Sequence, residues 1–161
     1  MSGFRVGSGF DAHRLAAGRP LVLGGVTIPF ERGLEGHSDG DCLIHAICDA
    51  LLGAAAAGDM GQHFPSSDPR FKDATSRSFL ERVAAIVAER GYTVENIDAT
   101  VIAQAPALAP HLGAIRERLA GLLALDTAAV SVKAKSSDGL GAIGRNEGIA
   151  AQAVALVRTR E

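Results

Sequence analysis

Cysteine is scarce, with Cys42 and Cys48 the only two in 161 residues. Six positions apart on one predicted helix, they fall on different faces and are placed badly for a disulfide. They read as small buried apolar residues of a reducing compartment. An excess of either charge is also lacking. Sixteen Lys and Arg against eighteen Asp and Glu leave a net −2, which argues against nucleic-acid binding driven by bulk electrostatics. No apolar run approaches membrane-spanning length, and the alanine stretch 54–57 is far too short for one. The opening MSGFRVGSGFD has no basic start followed by a long apolar run, so no secretory leader is expected. Nucleophile-elbow, Cys-x-x-Cys, dinucleotide and P-loop motifs are missing, as are internal repeats. The expectation is a cytoplasmic protein with one domain over 1–161, long enough to bury a core.

What is present centres on residues 36–61, GHSDGDCLIHAICDALLGAAAAGDMG, most of which reads as one helix. Ser38 is the expected N-cap, with Asp41 completing a capping box and Asp39 and Asp41 placed to favour the helix N-terminus. Leu43, Ile44, Ile47, Cys48, Leu51 and Leu52 leave little room for a solvated face, so burial is expected. Asp41, His45 and Asp49 nevertheless recur every four residues as one polar stripe. Buried acids and imidazoles need a partner, a proton or a metal. Upstream, FRVGSGFDAH (4–13) reads as a strand with Asp11 and His13 on the same face. One acid and two histidines, Asp11, His13 and His45, suit Zn²⁺ or a similar divalent ion with an open fourth position. A hydrogen-bonded core histidine would account equally for the stripe alone, and an Asp–His surface hydrogen bond for the strand pair alone, but the two together favour the metal.

The other elements follow from periodicity. Residues 21–29 read as a hairpin around Gly24-Gly25, 30–40 as a Gly-rich loop, and 58–76 as a long lid or substrate loop containing His63. Helices are expected over 77–90 and 111–124, and strands over 94–104 and 130–135. A short apolar strand or buried segment is expected over 149–157. This gives an α/β (α+β) domain of about four main strands in one sheet, with helices packed on one face. Lys133, Lys135, Ser136 and Ser137 at a strand end, then Asp138 and several glycines, suit a phosphate and a Mg²⁺ or Mn²⁺ ion. An ordinary solvated turn accounts for the same residues. The chemistry indicated is metal-assisted work on a phosphorylated small molecule.

FDAHRL (10–15), GHSDGDCLIHAICDALLGAAAAGDMGQHFP (36–65), AQAP (103–106) and VKAKSSDGLGAIGRNEGIA (132–150) together resemble the 2-C-methyl-D-erythritol 2,4-cyclodiphosphate synthase family of the non-mevalonate route to isoprenoids. The resemblance runs essentially the whole chain. It implies a homotrimer with active sites between adjacent subunits, and zinc on Asp11, His13 and His45. The implied substrate is 4-diphosphocytidyl-2-C-methyl-D-erythritol 2-phosphate. Its 2-phosphate attacks its own β-phosphate, CMP leaves, and the cyclic diphosphate forms. Also implied are His37 and Ser38 at the erythritol phosphate, Asp59 and Gly61 at the ribose, and Phe64, Pro65, Ser66, Ser67 and Asp68 over the erythritol. Ala103, Gln104, Ala105, Pro106, Ala107 and Leu108 would surround cytosine. Ala134, Lys135, Ser136 and Ser137 would meet the diphosphate, with Mg²⁺ or Mn²⁺ on Asp138. Lys135, Ser136, His37 and Asp138 are the implied catalytic set. Asp49, one turn beyond His45, is expected to orient that imidazole. Phe10, Ala142, Arg145 and Glu147 match the lining of an axial cavity for an isoprenoid diphosphate. Asp138 stands where the family usually has Glu, and Ala142 where an aromatic is common. Two other readings are a metal-dependent phosphoesterase and a non-enzymatic trimeric isoprenoid-diphosphate sensor.

Overall fold

A computed structural model describes residues 3–161. Its strands are β1 (Phe4–Ala17), β2 (Leu21–Leu23), β3 (Val26–Ile28), β4 (Arg32–Leu34), β5 (Tyr92–Ile102), β6 (Val130–Lys135) and β7 (Gly148–Thr159). Its helices are α1 (Cys42–Ala54), α2 (Met60–His63), α3 (Ser76–Glu89), α4 (Leu112–Leu123) and α5 (Gly141–Gly144). One sheet has the order β4-β1-β7-β5-β6, and β2-β3 form a separate hairpin. The main sheet therefore has five strands rather than about four. The additional strand, β4, lies in the expected 30–40 loop and pairs with the end of β1 through only Leu15–Leu34, Ala16–Gly33 and Ala17–Arg32. Three residues are too few to show a period in sequence.

The segment expected to be a short apolar piece is the sheet's central strand. β7 pairs antiparallel with β1 on one side and with β5 on the other. Only β5 and β6 run parallel, joined by a crossover through α4. Alternation along β1 sends Gly7, Gly9, Asp11 and His13 to the helix-covered face. Phe4, Val6 and Phe10 go to the other face, where they stay exposed together with Val154 of β7.

Helix α1 lies directly on β1 and β7 and is buried along ten of its thirteen residues. Its approach is unusually close because glycines face it. A Cβ on Gly7 would lie 2.0 Å from the Ala50 carbonyl oxygen, and one on Gly9 only 1.9 Å from that of Ala46. The small residues of the alanine-rich helix and the glycines of the strand thus interlock without side chains between them.

Helix α1 is shorter than the sequence suggests, and its cap differs. Asp41, not Ser38, is the N-cap, its Oδ1 accepting from the Ile44 N–H at 3.0 Å. The fully buried Asp41 carboxylate also accepts from Gly24 N (3.0 Å) and Gly25 N (2.8 Å) in the β2–β3 turn. Asp41 therefore leaves the expected Asp41–His45–Asp49 stripe and joins helix to hairpin. Burial pushes its carboxyl up to about 6, opposed by these N–H donors. Replacing Asp41 with Ala leaves buried N–H groups without acceptors, and we expect a loss of about 3 kcal/mol in urea unfolding. A change below about 0.5 kcal/mol would show that water replaces the carboxylate freely.

Asp39 joins the starts of two helices, its Oδ1 accepting from the N–H of the α1 cap Asp41 at 3.1 Å and its Oδ2 from the Ser76 N–H of α3 at 2.8 Å. The expected long loop 58–76 contains α2 and a 3-10 turn at Pro69–Phe71. Phe64 and Phe71 pack there against Phe79 of α3, with ring centroids at 4.6 and 5.8 Å from it.

Candidate metal centre

Strand β1 and helix α1 bring Asp11, His13 and His45 together. Asp11 Oδ2 is 2.7 Å from His13 Nε2 and 3.0 Å from His45 Nδ1, and the two nitrogens are 3.3 Å apart. All three residues are half-buried, and their ligand atoms lie within 4.8 Å of one another. Two ligands of a tetrahedral zinc at about 2.0–2.1 Å stand about 3.4 Å apart, so the donor set fits a divalent ion with little movement. Burial opposes ionisation of Asp11, but the His13 and His45 hydrogen bonds outweigh it and hold its carboxyl down at about 2. The hydrogen bond that His13 donates to Asp11 raises the pKa of His13, against the effect of burial.

The triad opens into a cavity of about 360 Å³ whose lining includes His37, Ser38, Asp49, Gly61, Phe64 and Ser66. Met60, Phe71 and Phe79 also line it; sequence reasoning misses these because apolar residues at helical or loop positions look like core. Asp49 reaches the cavity, yet its Oδ1 accepts from Met60 N at 2.8 Å instead of orienting His45. The expected role of Asp49 as the imidazole's partner is therefore corrected. His45 Nε2 is instead 2.8 Å from Ser76 Oγ, a hydroxyl that nothing in the local sequence singles out. Asp59 caps α2, with Oδ1 accepting from Gln62 N. His37 Nε2 approaches the Asp68 carbonyl at 3.3 Å, while the Asp68 carboxylate pairs with Arg70.

A second cavity, about 250 Å³, joins Ala103, Gln104, Pro106, Ala107 and Leu108 to Ala134, Lys135 and Ser136. Gln104 Oε1 accepts from Gly139 N, fastening the two loops together. Ser137 Oγ donates to the Leu140 carbonyl, and Asp138 is exposed beside Ser136. The register runs from Ala12 through Ala150 and Ile102 to Lys135 along one row. His13, next to Ala12, is thus three strand spacings from Lys135, about 14 Å. Its side chain lies on the helix-covered face, and that of Lys135 on the open one. One chain does not unite the two cavities. Ala142 and Glu147 line a further cavity of about 250 Å³ with His13 and Ile143. Arg145 pairs with Glu147 at 2.9 Å, and Phe10 lies on the open sheet face.

The model of the YgbB family matches residues 4–158, nearly the whole described chain. The chain belongs to the YgbB family. Among curated relatives, the 2-C-methyl-D-erythritol 2,4-cyclodiphosphate synthase of Burkholderia thailandensis is 59% identical over 154 residues, 96% of this chain and 95% of that protein. The corresponding Burkholderia mallei (strain SAVP1) protein is 58% identical over the same length. Among solved structures, the IspF of Plasmodium falciparum in its CDP complex is 32% identical with a TM-score of 0.87, covering 99% of this chain and 98% of that one. The bifunctional IspDF of Campylobacter jejuni, 40% identical, superposes on 100% of this chain with a TM-score of 0.96. This YgbB chain spans only 44% of the bifunctional protein's length. Among the described residues, no helix of the YgbB chain is long and apolar enough to cross a membrane.

Proposed function

We propose that this chain, as one domain over 1–161, is a 2-C-methyl-D-erythritol 2,4-cyclodiphosphate synthase. It converts 4-diphosphocytidyl-2-C-methyl-D-erythritol 2-phosphate to the cyclic diphosphate and CMP. An oxygen of the 2-phosphate forms a bond to the β-phosphorus. The bond from that phosphorus to the oxygen bridging to the α-phosphate breaks, and its electrons leave with CMP. The observation that carries this reading is the half-buried Asp11–His13–His45 cluster opening into the cavity that holds His37 and Ser38, in a chain 59% identical to a curated synthase.

Asp11, His13 and His45 would hold a zinc ion, which supplies Lewis-acid stabilisation of phosphate charge. The chain's own residues align the reactants. His37 and Ser38 border the triad and hold the erythritol phosphate, while Gly61, Phe64 and Ser66 shape the adjoining wall and Pro65, Ser67 and Asp68 continue the loop that covers the erythritol. Asp59 and Gly61 at α2 take the ribose. In the second cavity the apolar wall Ala103–Leu108 takes the cytosine, and Lys135 and Ser136 donate to the diphosphate. Asp138 would hold Mg²⁺ or Mn²⁺, which would supply neutralisation of the diphosphate charge. Little proton transfer is needed, so alignment and charge stabilisation supply most of the rate.

The reading includes a homotrimer in the cytoplasm, with each site shared by adjacent subunits. Its support is that His13 and Lys135 lie about 14 Å apart with side chains on opposite sheet faces, while exposed Phe4, Val6 and Phe10 leave one face without cover. The axial cavity beside Ala142 and Glu147 is then the place for an isoprenoid diphosphate. Light scattering should give about 50 kDa, three times the 16.6 kDa chain; a monomer at micromolar concentration would remove the shared site.

Phosphorus NMR of substrate with purified protein, zinc and magnesium tests the reaction. Cyclic diphosphate and CMP in equal amounts are expected, whereas open-chain phosphates would make the protein a phosphoesterase. Restoring the longer acid by Asp138→Glu should preserve or raise magnesium-dependent turnover. A folded but inactive variant would mean that position 138 does not hold the second ion.

A further inference from the structure

Two residues outside the expected site form a connected system behind the metal centre. Ser76, the first residue of α3, is fully buried with its Oγ 2.8 Å from His45 Nε2. The same hydroxyl donates to Asp39 Oδ1, and the Ser76 amide donates to Asp39 Oδ2 at 2.8 Å. The Asp39 amide in turn donates to the Ala74 carbonyl at 3.2 Å. Asp39 and the start of α3 are therefore locked together by contacts in both directions.

A hydroxyl has one proton, and a carboxylate only accepts. With the Ser76 proton committed to Asp39, the lone pair facing His45 requires Nε2 to be the donor. Nδ1, 3.0 Å from Asp11 Oδ2, is then the nitrogen left facing the metal position, and the proton it shares with Asp11 is the one a bound ion displaces. Were Ser76 to donate to His45 instead, its oxygen would face a carboxylate oxygen with no proton between them. Ser38 Oγ, at 3.3 Å from the same Nε2, is the more distant partner.

We propose that Asp39 and Ser76 are positioning residues that fix His45 as an Nδ1 metal ligand by accepting its Nε2 proton. The inference rests on the metal-centre reading above. It also assigns a reason for the contact between α3 and the 36–41 loop: the hydroxyl that starts the helix holds the ligand's orientation.

The test measures zinc affinity of the full-length protein by competition with a chromophoric chelator. Ser76→Ala and Asp39→Asn should each weaken zinc about 10- to 100-fold. The first removes the acceptor, and in the second the Asn NH2 must face at least one of three donors, the Ser76 hydroxyl, the Ser76 N–H and the Asp41 N–H. The double variant should lose no more than the worse single variant, as expected for residues acting through one contact. Ser76→Thr, which keeps the hydroxyl, should restore most of the affinity. In the zinc-loaded wild type the His45 Nε2 proton should be a slowly exchanging NMR resonance, lost in Ser76→Ala. Wild-type affinity in both single variants, or a rapidly exchanging Nε2 proton in the wild type, overturns the brace while leaving the metal centre standing. If Ser76→Ala does not fold, Asp39→Asn and the wild-type resonance decide. A wild type that takes up no zinc overturns the metal centre and this inference together.

Discussion

His45→Ala is expected to yield a folded protein that retains no zinc after dialysis and releases CMP at least about 10³-fold more slowly. That loss corresponds to about 4 kcal/mol of transition-state stabilisation, within what a Lewis-acidic ion contributes at a phosphoryl centre. The fold should survive because His45 is partly exposed and the packing of α1 comes from its apolar neighbours. Ser76 keeps its bond to Asp39 in the variant, so no buried hydroxyl is orphaned. The expected stability cost is therefore only about 1–2 kcal/mol. Metal analysis, circular dichroism and CMP release on one sample separate these effects. A variant with wild-type turnover would remove His45 from the chemistry, and with it the reason for joining β1 to α1 at this point.

Gly9→Ala should produce the second large effect, on stability and on the metal centre together. The added methyl would lie 1.9 Å from the Ala46 carbonyl oxygen and 2.8 Å from the Ala50 nitrogen. Both are helix backbone atoms, so no side-chain rotation relieves the clash and α1 must move away from β1. We expect about 3–5 kcal/mol of destabilisation in urea unfolding. Because Ala46 is adjacent to His45, the same displacement carries Nδ1 away from Asp11, and zinc affinity should fall by at least about tenfold. Gly121→Ala is the control. A Cβ there meets nothing within 4 Å in the interior of α4, so replacement should stabilise by about 0.5–1 kcal/mol. Equal behaviour of the two variants would mean that close packing of helix on strand is not what sets the triad's geometry.

Long, strongly patterned segments are legible without the structure. β1, β5, β6, α3 and α4 lie within a few residues of where periodicity places them, since a regular apolar spacing kept up over many residues suits one kind of element and not the other. The Gly24-Gly25 turn is equally plain, both residues having positive φ. β4 and α2 are hidden because three or four residues show no period. The cap of α1 is ambiguous in sequence because Ser38, Asp39 and Asp41 are all good capping residues, and local sequence does not say which one distant N–H groups will claim.

Residue chemistry and spacing determined that a carboxylate and an imidazole share one face of a strand, and that a second imidazole sits on a buried helix. They determined little about the partners of those groups. Asp41 is taken by the hairpin, Asp49 by Met60, and Asp39 by a serine thirty-seven positions downstream. Only the tertiary structure decides such pairings, because hydrogen-bond satisfaction depends on which backbone donors arrive nearby, and they arrive from elements far away in the chain. The same holds for the 1.9 Å constraint at Gly9: a glycine states what is permitted locally, and the packed helix states what is required.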